Sequence, residues 1–306
     1  MSRIERVAIL GAGAMGSALA SRFHVAGFST ILIGRGERRR RLIETGLTVN
    51  GETLRLPVVD PREATQPVDL IVVALKHHHL PDAVPGLGKL VGPETTFISV
   101  MNGLDSENYI GGLYGMDKVL YCISVGIDAQ RRGDRVIYYT TLGRLQFGEA
   151  RNEQIGHKVA RVQEALDSAD IAHETPVDMM RVLWWKFMVN VGINQASAMT
   201  RGTYGVFQTQ DDARAVMFGL MREVIALAAA EGIHLDEDDL PAWDAFLQTL
   251  SPDGRTSMLQ DIEAGRRTEV EIFAGKAVEL GQKHGIPVPM NEMALHVIRT
   301  LERRAG

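Results

Sequence analysis

A single cysteine, Cys122, occurs in 306 residues. One thiol excludes an internal disulfide framework and a cysteine-based zinc site, and it fits a reducing cytoplasm. Long apolar runs are missing too. No stretch of about eighteen apolar residues is present, so no transmembrane helix is expected, and the short apolar run in MSRIERVAIL goes straight into structure rather than forming a signal peptide. The expected location is therefore cytoplasmic. Basic charge is not in excess: 33 Lys and Arg against 38 Asp and Glu leave a net charge of -5. Neither nucleic acid nor an anionic membrane is expected as a general partner. Internal repeats and low-complexity tracts are also absent. What is present is an ordinary globular composition, 45% hydrophobic and 23% charged, in a chain long enough for two domains.

Val7 to Leu10 reads as a short apolar strand that runs into GAGAMG, where Gly11, Gly13 and Gly16 set a G-x-G-x-x-G spacing around Ala14 and Met15. Ser17 to Ala26 follows as a helix, Gly27 ends it, and Thr30 to Ile33 is a second strand. A triple-glycine match alone is weak. The strand, helix and second strand around it turn the match into a dinucleotide-binding βαβ unit. The first glycine permits a tight turn, the second lets a pyrophosphate approach the backbone, and the third lets helix pack on strand, with the helix N-terminus facing the anion. For NAD, an acidic residue is expected at the end of the second strand. This chain has IGRGERRRR instead, with Arg35 at the strand end and Arg38 to Arg41 behind it. Arg35 would stack on adenine or pair with a 2′-phosphate, and one of the following arginines could share that charge; the others form a solvated helical face. NADP(H) is therefore expected over NAD(H).

Asp69 to Leu75, ending at Lys76, and Thr96 to Met101, ending at Asn102-Gly103, read as strands buried on both faces of a parallel sheet. In such sheets ligands sit outside the carboxyl ends of the strands, where Gly11, Arg35, Lys76 and Asn102 all fall. Asn102 is on local grounds as good a turn former as a ligand. His77, His78 and His79 point in different directions, converge on no ion, and read as loop residues, so no metal is expected. Lys118 to Asp128 is a further strand. Arg135 to Thr141 and Arg144 to Phe147 read as an antiparallel extension of the sheet. Asn152 to Ser168 is helical, Ile171 to Glu174 an edge strand, and Thr175-Pro176 marks the start of a second, all-helical half.

The first helix of that half carries MMRVLWWKFMVNVGINQASAMT, Met179 to Thr200. Lys186, Asn190 and Asn194 recur at i, i+4 and i+8 and fall close to one line on one helix face, while Leu183, Trp184, Trp185, Phe187, Met188, Val189 and Ile193 make nearly every side apolar. Either the lysine snorkels and the amides bond neighbouring backbone, or the line offers an ammonium and two amides to a small polar ligand in a cleft. Three in register favour the ligand. Helices follow at Asp211 to Glu231 and Pro241 to Leu250; a long helical region spans Ser257 to His284, and a last helix takes Asn291 to Arg303. On local evidence Ser257 is as readily a helix cap as a ligand, and Glu269 as readily part of the solvated pattern of Arg266, Arg267 and Glu271. The architecture is α/β then all-α: residues 1–175 an NADP-binding Rossmann-type domain, residues 176–306 a helical substrate and catalytic domain, with the ligand cleft between them.

GAGAMG, the strand ending in Lys76, Met-Asn-Gly around Asn102, WWKFMVNVGIN from Trp184, SMLQDIEAGRRTEVE from Ser257 and GIPVPMN from Gly285 occur together in the order and spacing of one family. Over nearly its whole length the chain resembles the ketopantoate reductases (2-dehydropantoate 2-reductases), the NADPH-dependent enzymes of pantothenate synthesis. The resemblance implies a second domain of the 6-phosphogluconate dehydrogenase C-terminal-like kind. It implies Lys186 as the general acid that protonates the ketone oxygen. Asn102 is similar to the residue bridging nicotinamide and substrate, and Lys76 to a cofactor contact near the nicotinamide end. Asn190, Asn194 and Ser257 resemble contacts to the substrate hydroxyl and carboxylate, and Glu269 the partner that orients Lys186 or the cofactor ribose. The chain departs from the family at two positions. Three residues before Ser257, and ten after Asn194, the family commonly places asparagines, where this chain has Gly254 and Tyr204.

The expected function is NADPH-dependent reduction of a small 2-keto acid, ketopantoate first, with a homodimer suggested by the exposed helices of the second half. A 3-hydroxy-acid dehydrogenase would also pair a lysine and an asparagine four apart on a helix, but it usually carries a Gly-Gly-x-Gly substrate loop that this chain lacks. A non-catalytic dinucleotide sensor would have no reason to keep Lys186, Asn190, Asn194 and Glu269 in register.

Overall fold

The computed structural model describes residues 3–126, 128–132 and 136–305. They fall into two compact units, Met1–Met180 and Arg181–Gly306.

The first unit is built on an eight-stranded sheet. Its parallel strands are β1 (Arg6–Leu10), β2 (Ser29–Ile33), β5 (Val58–Val59), β6 (Val68–Val73), β7 (Val91–Ser99) and β8 (Val119–Val125), ordered β8-β7-β6-β1-β2-β5. Beyond β8 lie β11 (Arg144–Gly148), antiparallel to it, and β12 (His173–Glu174) at the edge. Alternation along the strands supplies both core faces: Val7, Ile9, Leu70 and Val72 belong to one apolar cluster, and Ala8, Leu10, Ile71 and Val73 to the other. The helices of this unit are α1 (Ala14–Val25), α2 (Gly36–Thr45), α3 (Leu80–Ala83), α4 (Ser106–Tyr114) and α5 (His157–Ser168).

Several boundaries differ from the sequence reading. The strand begun at Lys118 stops at Val125, Gly126 turns with φ 71°, and Asp128 opens a different strand, β9 (Asp128–Arg132). Arg135 lies outside the described residues. From Val136 to Thr141, β10 does not extend the main sheet; it pairs with β9 and with β3 (Leu47–Val49), which pairs with β4 (Glu52–Leu54), in a second, four-stranded sheet. The β3–β4 hairpin turns on Asn50 and Gly51, with φ of 48° and 87°, the left-handed pair that an Asn-Gly turn supplies. Helix α5 starts at His157 rather than Asn152, because Asn152 is occupied in bonding Glu149 and the Pro176 carbonyl. That pinned loop also delays the next helix from Pro176 to Met179.

The second unit is helical: α6 (Met179–Val189), which begins in the first unit, then α7 (Gln195–Thr200), α8 (Tyr204–Thr209), α9 (Asp211–Ala230), α10 (Asp239–Leu247), α11 (Ser257–Glu263), α12 (Ala274–His284) and α13 (Pro289–Ala305). Two corrections fall here. The helix read as continuous from Met179 to Thr200 is interrupted by a π turn at Asn190–Asn194. The region read as one helix from Ser257 to His284 breaks after α11, where Gly265 turns with φ 63° and Arg266 N bonds Asp261 O, before a 3-10 turn at Val270–Ile272 leads into α12. Among the described residues no helix is long and apolar enough to cross a membrane.

Candidate active site

In the first unit four strand ends share one rim. Leu10 pairs with Ile33 and with Val73, and Val73 with Ser99, so β1, β2, β6 and β7 finish in register. The residues that leave those ends are Gly11, Arg35, Lys76 and Asn102. The chain order reverses between β1 and β6, the crevice where open parallel sheets bind their ligands.

The glycine turn is shaped by close backbone approaches. Gly11 holds φ 112° against the carbonyl of Ala74, and a Cβ on Gly16 would collide with the Gly11 carbonyl. A Cβ on Gly13 would meet nothing within 4 Å, so the loop is open on that side. Gly13 caps α1 without a side-chain bond and no acidic residue occupies the first turn, so neither a side-chain cap nor a carboxylate competes for the N–H groups. A cavity of about 350 Å³ lies beside the turn, lined by Gly11, Gly34, Arg35, Arg38, Leu75 and Asp82 among others.

Arg35 Nη2 is buried with no hydrogen-bond partner among the described residues, and its Nε lies 3.9 Å from Asp60 Oδ1. Asp60 itself is clamped by Arg62 at 3.0 and 2.7 Å, and these bonds hold its carboxyl far below the usual range despite its burial. A carboxylate thus stands behind the cationic wall. Of the arginines after Arg35, Arg39 is tied to Glu63 and to the Val58 carbonyl, Arg40 and Arg41 are exposed, and Arg38 lines the cavity. His77–His79, read as a loop, form a 3-10 turn, and His79 also lines the cavity. No cluster of three His, Cys, Asp or Glu among the described residues is placed to hold a metal ion. An uncapped helix N-terminus and an open glycine turn fit the pyrophosphate of a dinucleotide, and the Arg35 guanidinium beside them has a donor to spare.

In the second unit the polar line begins on α6. Lys186 and Asn190 are half-buried and Asn194 is buried, and Asn194 Nδ2 donates to Asn190 Oδ1 at 3.0 Å. The π turn runs between the two amides. A Cβ on Gly192 would meet Met221 and, at 3.1 Å, the carbonyl of Met217, so this turn packs directly on α9. Single π turns inside helices recur at functional sites. Ser197, one turn on, donates to the Asn194 carbonyl at 3.2 Å and lies 2.5 Å from Thr256. Thr256, not Ser257, is the cap of α11, accepting from Leu259 N at 3.2 Å. Ser257 is exposed and outside that capping bond. Glu269 precedes the 3-10 turn, and its flanks are fixed: Thr268 donates to Glu302, and Glu271 is gripped by Arg299. Sequence reasoning missed Ser197 and Thr256; a threonine one residue before a helical run was the available signal.

A parallel sheet with a glycine-rich turn at its switch point, followed by a helical unit carrying a Lys-Asn-Asn line, defines the class of two-unit dinucleotide-dependent oxidoreductases. Residues 7–152 match the family described as ketopantoate reductase PanE/ApbA, and residues 178–302 match its C-terminal family. The chain belongs to the ketopantoate reductase family. It is 30% identical over 307 residues to 2-dehydropantoate 2-reductase of Pyrococcus abyssi, spanning 98% of this chain and 99% of that one. To the enzyme of the same description from Streptococcus pyogenes serotype M3 it is 27% identical over 303 residues, 97% of each. Among solved structures it is similar to a PanE/ApbA family ketopantoate reductase from Ralstonia eutropha JMP134, with a TM-score of 0.84 and 26% identity over 98% of this chain and 99% of that one.

Proposed function

We propose that this chain reduces a small 2-keto acid, ketopantoate first, to the 2-hydroxy acid with NADPH, as a step of pantothenate synthesis. The observation that carries the reading is the Lys186-Asn190-Asn194 line in an otherwise apolar helix, with its two amides bonded to each other. Bound at the glycine turn, a reduced nicotinamide would supply the hydride. The N–H groups at the start of α1 would take the pyrophosphate, and Arg35 with Arg38 the 2′-phosphate. Lys76 and Asn102 would hold the nicotinamide end.

Hydride arrival at a ketone carbon builds negative charge on its oxygen. The Lys186 ammonium would stabilise that charge and donate its proton to the oxygen, which leaves an alcohol and a neutral amine. Asn190 and Asn194 would fix the substrate's polar groups, Ser257 would donate to its carboxylate, and Glu269 would orient Lys186 or the cofactor ribose.

The experiment is NADPH oxidation followed at 340 nm with ketopantoate, for the parent chain and for Lys186→Ala. Turnover by the parent and a loss of roughly a hundredfold or more in the variant is the outcome that loss of a general acid should give. Binding of NADPH without its oxidation by any keto acid would instead favour a non-catalytic sensor.

A further inference from the structure

Gly86 lies directly under the guanidinium of Arg35. A Cβ built on it would land on Arg35 Nη2, 2.8 Å from Cζ and 3.4 Å from Nη1. The backbone itself does not call for a glycine there. Gly86 is not among the glycines with positive φ, and it sits inside the 3-10 turn Val84–Leu90, a conformation open to any residue. What excludes a side chain at 86 is the arginine.

The turn that carries Gly86 is fixed from behind. The hydroxyl of Tyr114, at the end of α4, donates to the Val84 carbonyl at 2.7 Å and accepts the Leu87 N–H at 3.1 Å, so one phenol brackets residue 86 on both sides. Its ring stacks on buried Phe97, with centroids 5.5 Å apart. Burial raises the Tyr114 phenol above its ordinary value, and the Leu87 N–H and the nearby Arg35 charge pull against that rise. On the other side, Asp60 Oδ1 stands 3.9 Å from Arg35 Nε. The guanidinium is therefore seated between a backbone floor and a carboxylate. Its Nη2 is shut in on the floor, while the side chain as a whole stays 36% exposed and lines the open cavity of about 350 Å³ beside the glycine turn.

We propose that Gly86 is a positioning residue for cofactor choice: its bare Cα seats the Arg35 guanidinium at the cavity wall, preorganised for the phosphate of a 2′-phosphorylated dinucleotide. This rests on the NADPH reading above and adds the residue on which Arg35 depends. An arginine loose in water must give up its rotamer freedom when the phosphate arrives, and a seated one has already done so. The cost of a methyl group at 86 would fall on the arginine. The three atoms nearest that methyl all belong to Arg35, at the far end of a flexible chain that can swing away, so the turn itself keeps its shape.

The test is calorimetry with NADPH and NADH for the parent, Gly86→Ala, Arg35→Ala and the double variant. Gly86→Ala should raise the Kd for NADPH about tenfold and the Kd for NADH by less than about threefold, with the thermal midpoint unchanged. In the Arg35→Ala background the same substitution should have no further effect, because the group it displaces is gone. A loss shared equally by the two cofactors, a loss that persists without Arg35, or an NADPH affinity that is unchanged or tighter overturns the proposal. If Arg35→Ala itself leaves the preference between the cofactors where it was, the NADPH reading of Arg35 fails and takes the role of Gly86 with it. If Arg35→Ala abolishes the preference and Gly86→Ala does not, only the seat fails.

Discussion

Thr256 Oγ1 lies 2.5 Å from Ser197 Oγ, and both hydroxyls are buried. Each hydroxyl has one proton. Since Ser197 gives its own to the Asn194 carbonyl, Thr256 must donate to Ser197, while the Thr256 oxygen accepts the Leu259 N–H. One short chain of bonds thus ties the start of α11 to the end of the π turn. Thr256→Val should remove the cap and strand the Ser197 oxygen, at about 1 kcal/mol for each loss, or ~2 kcal/mol together. Urea unfolding should show the midpoint falling at unchanged slope, with Thr256→Ser recovering most of it. Equal midpoints for the valine variant and the parent would sink the argument.

Glu271 accepts two hydrogen bonds from Arg299, at 2.8 and 2.7 Å, and this pairing holds its carboxyl below the ordinary value. The folded pKa is therefore lower than the unfolded one. The stabilisation is complete above the unfolded value and is lost as pH falls through the folded one. The side chains are 39% and 40% exposed, so solvent screening limits the pair to less than about 1 kcal/mol. Arg299→Met should lower stability by up to that amount at neutral pH and by nothing resolvable once Glu271 is protonated in both proteins. Denaturant titrations across the acid range would check this, and a gap between parent and variant that widened on acidification would contradict it.

Much of the nucleotide half was legible because its signals are local and consecutive. GAGAMG follows an apolar strand, and the ends of β1 and β2 fall where the sequence puts them, whereas β6 and β7 stop at Val73 and Ser99, two residues before the apolar runs do. Pairing partners are not local. The strand from Val136 carries the same alternation whichever sheet it joins, so only the fold gives it to β9 and β3. The Asn50-Gly51 hairpin was readable and overlooked. On the helical side, the π turn leaves no mark: an extra residue shifts an apolar face by about 100°, but this segment is apolar on nearly every side and has no phase to lose. Gly265 inside a helical pattern costs only about 1 kcal/mol relative to alanine, too little to mark a break. Lys186, Asn190 and Asn194 stood out because polar residues in an apolar helix need partners. Tyr204 and Gly254 stood out only as departures; Tyr204 N donates to the Gly254 carbonyl, a tertiary contact.

Gly13 separates binding from folding. Its φ of -85° is open to any residue, and a Cβ there would meet nothing. Gly13→Ala should therefore change stability by less than about 1 kcal/mol, the cost of a poorer N-cap. The same methyl would occupy the side from which a pyrophosphate must approach, so NADPH affinity measured by fluorescence should fall by roughly tenfold or more. Gly16→Ala should lose stability as well, because its Cβ would strike the Gly11 carbonyl. Unchanged affinity in a well-folded Gly13→Ala protein would place the dinucleotide elsewhere.

The proposed preference for NADPH over NADH rests on Arg35. Its Nη2 is buried without a partner among the described residues, and Asp60 at 3.9 Å from its Nε gives it an anchor without using its outer donors. A 2′-phosphate would accept those donors in charge-assisted bonds of about 1.5 to 3 kcal/mol, a factor of roughly 10 to 100 in affinity. A 2′-hydroxyl would gain far less. Arg35→Ala should thus raise the Kd for NADPH by one to two orders of magnitude and the Kd for NADH by about threefold at most, with the NADPH effect shrinking as salt is raised. Calorimetry with both cofactors reads the two numbers side by side. Equal losses for NADPH and NADH would mean that Arg35 stacks on the adenine both share, and the phosphate preference would then have to come from Arg38.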